Sequence, residues 1–232
     1  MHLSIYSALK KPENSFSLWD SCFPTNACIC NTPHLIESKL MHANISKLKA
    51  NPIFVGLNYS RAIKFDFQNF HDTSTRSKDI ILKNYIQIGG LKKLQGTLMT
   101  DLIITQGSNS GNVVSKAKSN PSLINKSVLD LLNKAVFANN EIATHKNIDQ
   151  NKDPITLIVF GGQAFYLLCK YLRIAKVSYN KTKILHNIDK LQFNYSGASF
   201  VVYKVWHYSN YGINANKVNE LKSQLVYLNT IV

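Results

Sequence analysis

The chain has 232 residues, 45% of them hydrophobic and 17% charged, which suits one sizeable domain with its own core and excludes a disordered chain. Lys and Arg number 27 against 13 acidic residues, a formal charge of +14; such an excess favours nucleic acid or an anionic surface as partner and says nothing about fold. No stretch reaches the roughly 18 to 20 continuous apolar residues of a membrane span, and the opening "MHLSIYSALKKPENSF" has no charged region ahead of its short apolar part. The expectation is therefore an unexported, cytoplasmic protein with no membrane partner.

In chain order, residues 1–50 are expected to form a helical and loop extension packed on a single domain that covers 1–232. "SCFPTNACIC" carries Cys22, Cys28 and Cys30, with Cys169 far away in "YLLCKYL". This Cys-x5-Cys-x-Cys run lacks the Cys-x2-Cys pair usual in zinc and iron–sulfur sites, so reduced thiols and no metal are expected. Leu35, Leu40, Ile45 and Leu48 recur at near-helical spacing before the first core strand, "NPIFVGLN" (51–58). Its run Ile53 to Val55 is short and dense, as in a strand buried on both faces, and Gly56 marks a turn or a close approach. Similar runs follow at 96–104, 155–160 and 198–206. Between them, "SKDIILKNYI" (77–86) and the stretches 121–140, 162–175 and 214–228 place apolar residues three and four apart. The polar stretches 105–122 and 141–154 read as surface loops. Strands alternating with helices predict an α/β fold, a three-layer α/β/α arrangement around a mostly parallel four-stranded sheet. Its ligand site is expected at the carboxyl ends of the strands.

Those strand ends are "GLN" at 56–58, "TD" at 100–101, "GGQ" at 161–163 and "HYSNYG" at 207–212. Together with "FQNFHD" around Phe70 and the run "LIVFGGQAFYLL", they resemble the uracil-DNA glycosylase superfamily from about residue 50 to the end. The second motif, His207-Tyr208-Ser209, looks most like that of a little-characterised bacterial branch. The resemblance implies a base-excision repair enzyme without cofactor or metal, acting as a monomer on DNA and hydrolysing the N-glycosidic bond of uracil or a related deaminated base. A catalytically silent nucleic-acid-binding protein on the same fold is the alternative.

Carried over residue by residue, the resemblance makes Asn58, Asp101 and His207 the catalytic set: Asn58 positions the attacking water, His207 addresses the base carbonyl, and Asp101 stands where the family has an asparagine that reads the base edge. Gly56, Leu57, Tyr59, Phe70, Thr100, Ser209 and Asn210 would surround the base, with Phe70 stacking on it. Tyr208, Tyr211, Gly212 and Gly162 would meet the DNA. Three departures are plain in the sequence: the first motif lacks the acidic residue of the most active branch, Tyr59 replaces the proline after it, and Asp101 replaces an amide, so that an ionised side chain there accepts hydrogen bonds only. Each residue also has a structural role open to it. His207 ends a strand, Asn58 suits a turn or a cap, Phe70 a core, and Asp101 a helix cap.

The chemistry suits these residue types. A glycosylase extrudes the nucleotide at a cost of a few kcal/mol and breaks the C1′–N bond through an oxocarbenium-like state while charge develops on the base. A hydrogen-bond donor aimed at that charge is worth about 3 to 4 kcal/mol.

Overall fold

The computed structural model describes residues 9, 14–17, 48–58, 70, 79–104, 110–146, 153–208 and 215–232. Seven strands are present among them: β1 (Ser15–Phe16), β2 (Lys49–Gly56), β3 (Thr97–Asp101), β4 (Ile155–Phe160), β5 (Tyr179–Ile184), β6 (Ile188–Tyr195) and β7 (Ala198–Val205). They form one sheet in the order β1-β3-β2-β4-β7-β6-β5. The fold is α/β, but the expected four-stranded sheet is corrected to a seven-stranded mixed one. Its middle, β3-β2-β4-β7, is parallel throughout. Antiparallel strands extend it on both sides, β1 beside β3, and the β6-β5 pair beside β7.

The middle strands form where the dense apolar runs lie. Every residue of β4, "ITLIVF", is buried, and so is every residue of β3, which requires packing on both faces of the sheet. Pro52 cannot donate to the ladder, and the register of β2 on β3 shifts between Lys49 and Ile53. The Asn51 side chain fills the gap: its Nδ2 donates to Pro154 O at 3.1 Å and its Oδ1 accepts from Thr156 N at 2.9 Å, tying β2 to the start of β4.

Five helices are found among the described residues: α1 (Asp79–Lys83), α2 (Ser110–Ser119), α3 (Pro121–Lys146), α4 (Gly162–Ile174) and α5 (Ala215–Ile231). A turn of π-helix, Asn84–Ile88, continues α1. Helix α3 packs on β2 and β4, and α4 packs on β4 and β7 and against α3. Helix α5 lies on β7 and against the π turn, where Tyr85 Oη donates to Val218 O at 3.2 Å. Burying Ala164, Phe165, Leu167, Leu168, Tyr171 and Leu172 on one side of α4 is worth about 1.5 to 3 kcal/mol for each large side chain. None of the helices among the described residues is long and apolar enough to cross a membrane.

Two loop expectations are corrected. Residues 110–119 form α2 instead of a loop, and the helix expected to end near residue 140 continues to Lys146. The helix expected at 33–48 and the cysteines at 22, 28 and 30 lie outside the described residues. Strands β6 and β7 are joined by the two-residue turn Ser196-Gly197, whose φ values of 48° and 79° match the twist of a tight hairpin.

Candidate functional site at the carboxyl ends of the parallel strands

Because β3, β2, β4 and β7 run the same way, their carboxyl ends meet at one edge of the sheet. Gly56 ends β2 and is paired with Asp101, which ends β3. The ladder continues past both, with Leu102 N donating to Gly56 O at 3.0 Å and Ile103 N to Leu57 O at 2.9 Å. A β-carbon at Gly56 would overlap Asp101 Oδ1 and come within 3.1 Å of Phe70 Cζ. Glycine is therefore needed here for space: it lets a carboxylate and an aromatic ring close over the strand end. Asn58 follows two residues later, half-buried.

Phe70 holds a φ of 62°, a left-handed backbone that a bulky residue adopts only when its surroundings impose it. Its ring is buried and meets Tyr208 with centroids 6.2 Å apart. Tyr208 in turn stacks on His207 at 4.8 Å and 18°, and sets its edge against Phe160 at 5.4 Å. Phe160 also meets His207 edge-on at 6.3 Å and stacks on Phe54 at 5.3 Å. On the other side of His207, Gly161 has a φ of 87°, and a β-carbon there would lie 3.4 Å from His207 Cβ. Gly161 N donates to Val205 O at 2.9 Å, locking the end of β4 to β7. A chain of contacts thus runs from Asp101 through Gly56, Phe70 and Tyr208 to His207 and Gly161.

Burial lowers the His207 pKa from its ordinary 6.5 to about 4. The imidazole is therefore neutral near pH 7, presenting one N–H donor and one lone pair. Asp101 is 4% exposed, so a carboxyl group sits buried at the far end of the same cluster.

The other expected site residues divide. Leu57 is buried beside Gly56, and Gly162 opens α4 with open space around its α-carbon. Tyr208, expected against DNA, is 8% exposed and packs inward among the rings. Thr100, expected near the base, faces α3 instead: its hydroxyl accepts from Lys134 Nζ at 3.1 Å, and the same ammonium donates to Asn14 Oδ1 at 3.0 Å. Neighbouring strand residues point to opposite faces, so Thr100 ties the core while Asp101 faces the cluster. Tyr59, Ser209, Asn210, Tyr211 and Gly212 lie outside the described residues.

Sequence reasoning placed Gly161 at a strand end without giving it a role, and passed over Phe160 and Gln224. The "FGG" turn signals the first two. Gln224 Oε1 accepts from Trp206 N at 2.8 Å while its Nε2 donates to His186 O at 2.9 Å, fixing the backbone one residue before His207. Its signal is a polar residue among Leu221, Leu225 and Leu228, on the buried stripe of α5. An open cavity of about 750 Å³ lies at the opposite edge of the sheet, near the start of β4 and the β6–β7 turn, and is rich in amides such as Asn139, Asn180, Gln192 and Asn194. No group of three or more His, Cys, Asp or Glu side chains placed to hold a metal ion occurs among the described residues.

No protein-family model matches the chain, and neither the curated proteins nor the solved structures give a significant match.

Proposed function

We propose that the protein is a DNA glycosylase that hydrolyses the N-glycosidic bond of uracil or a related deaminated base flipped from DNA. The observation that carries this reading is the meeting of a buried carboxylate, an aromatic cluster and a neutral histidine at one edge of a parallel sheet, from stretches as far apart as Gly56 and Tyr208. The three-layer α/β/α arrangement belongs to the same proposal, supported by a parallel middle sheet whose β3 and β4 are buried at every position.

In this reading the C1′–N bond breaks with its electron pair leaving on the base. Water held by Asn58 adds to C1′, and its proton ends on the departing base. The N–H of neutral His207 donates to the base carbonyl as negative charge grows there, whereas an imidazolium would first have to be made at the cost of its desolvation. Phe70 supplies the stacking face once it and Tyr208 separate, since both rings are packed closed.

The test is excision from oligonucleotides carrying uracil, hypoxanthine or xanthine, single-stranded and opposite each normal base, with abasic sites read by alkaline cleavage. Cleavage is expected, reduced about a hundredfold or more in His207→Ala and also lost in Asn58→Ala, with DNA binding kept in both. Binding without an abasic product from any substrate would sink the enzyme reading. It would favour the second one, a silent nucleic-acid-binding protein, which the tight closure of Phe70, Tyr208 and Asp101 already favours.

A further inference from the structure

The outer face formed by α2, α4 and β5 gathers positive charge and an exposed ring. Between Ile155 and Val205 the chain carries seven Lys and Arg and a single acidic residue, Asp189, whose carboxylate is bridged to Lys204. Contacts place Arg173, Lys181 and, from α2, Lys118 against aromatic rings of this face. Lys118 Nζ at the end of α2 lies 5.2 Å from the centre of the Tyr166 ring on α4. Lys181 of β5 reaches over Phe165 at 5.3 Å, and Arg173 Nε donates to Tyr179 Oη at 3.0 Å. Lys183 stands two residues beyond Lys181, on the same face of the edge strand. Tyr166 is 44% exposed; a large ring kept in water beside an ammonium offers what an unpaired base stacks on.

The strip is also aimed. Strand β5 is antiparallel to β6, and β6 to β7, so β5 runs with β7. Lys183 lies in the cross-strand row with Asp189 and Lys204, three residues before His207. Helix α4 begins beside Gly161, which packs on His207, and Tyr166 lies one turn further, about 6 Å along the axis.

We propose that this face is the track of an unpaired nucleic-acid strand: Lys118, Arg173, Lys181 and Lys183 neutralise its phosphates and Tyr166 stacks one of its bases. An unpaired strand fits because a base within a duplex has both faces covered and cannot use the tyrosine. The inference deepens the proposed function by naming the strand state of the substrate, and it rests on that reading only for where the reacting base goes.

Its test is binding, not excision. Fluorescence anisotropy with a short labelled oligothymidine, and with the same strand in a duplex, is recorded across a range of salt for the full chain. The single strand should bind more tightly. Replacing both Lys181 and Lys183 by Ala should lower the slope of log affinity against log salt by about 1.4, at about 0.7 for each phosphate of a single strand that is no longer neutralised. Tyr166→Ala should weaken binding about tenfold, whereas Lys222→Ala on α5 should leave it unchanged. Circular dichroism checks that each variant is folded. An unchanged salt slope in the double variant, tighter binding of the duplex, or lysine-dependent binding to phosphatidylserine vesicles without oligonucleotide binding would each overturn the proposal. Strand binding that needs these residues, with no excision of any base, leaves the track standing and removes the glycosylase reading; excision indifferent to them does the reverse.

Discussion

Acidifying the protein from pH 8 to pH 5 should cost stability through His207. The unfolded imidazole takes its proton near pH 6.5, whereas the folded one, desolvated beside Phe160 and Tyr208, resists until about 4. Between those values the unfolded chain binds more protons than the folded one, so stability falls as pH falls through the window. Above pH 6.5 the contribution is intact, and below 4 both states are protonated and nothing more is lost. At pH 5 the two protonation factors differ about thirtyfold, which is about 2 kcal/mol. The assay is urea unfolding at several pH values for the wild type and for His207→Gln, which cannot titrate. Contributions from the other histidines and the carboxylates cancel in the difference. The wild type should lose about 2 kcal/mol more than the variant between pH 8 and pH 5. Parallel curves, or a His207 ring resonance titrating near 6.5, would refute the buried neutral imidazole and with it the donor assigned to this residue.

Three substitutions test the packing that places the site. Gly56→Ala should destabilise by about 1 to 3 kcal/mol, because its methyl overlaps the Asp101 carboxylate. In the Gly56→Ala, Asp101→Ala double variant, denaturation should show a clearly less than additive loss. Gly161→Ala should cost about 1 to 3 kcal/mol, since a φ of 87° with ψ of 158° is nearly closed to residues with a side chain; thermal unfolding measures it. Gln224→Leu should cost about 1 to 3 kcal/mol by leaving Trp206 N–H and His186 C=O without the buried Gln224 amide, and faster hydrogen exchange at the Trp206 amide is the accompanying sign.

The parallel strands were legible in the sequence for a simple physical reason. A strand covered on both faces must carry apolar residues at consecutive positions, as Leu157 to Phe160 and the pair Leu98-Met99 do. The β5–β6 pair was not, because β5, "YNKTKI", is an edge strand with four of its six residues exposed, and its lysines look like loop. For β6 the available signal was Ser196-Gly197, the two-residue turn into β7. Helix α2 hides in the same way: Val113, Val114 and Ala117 are buried among its described side chains, and the rest of "SGNVVSKAKS" has the composition of a turn. At the site, topology alone brings Gly56, Asp101, Gly161 and His207 to one edge. What no local pattern announces is the left-handed backbone of Phe70, the inward turn of Tyr208 or the neutrality of His207, since each arises from packing between segments distant in sequence.

The exchange of an amide for Asp101 bears on which base the proposed glycosylase would take. His207 closes one end of the aromatic cluster as a donor, and Asp101 closes the other as a buried carboxyl group. Once Phe70 and Tyr208 have separated, a planar base lying between His207 and Asp101 would meet the histidine with a carbonyl oxygen. Toward Asp101 in its ionised form it would do best with an N–H, since an ionised carboxylate has no proton to offer a second carbonyl. Uracil satisfies half of that demand, pairing its N3–H with Asp101 while its O4 is repelled. A base that turns only N–H groups to that edge avoids the conflict. A buried group left without its partner costs about 1 to 3 kcal/mol, or roughly tenfold to a hundredfold in selectivity. The order of excision across the substrates, and its reversal in Asp101→Asn, where one amide both donates and accepts, therefore reads out the role of this residue separately from that of His207.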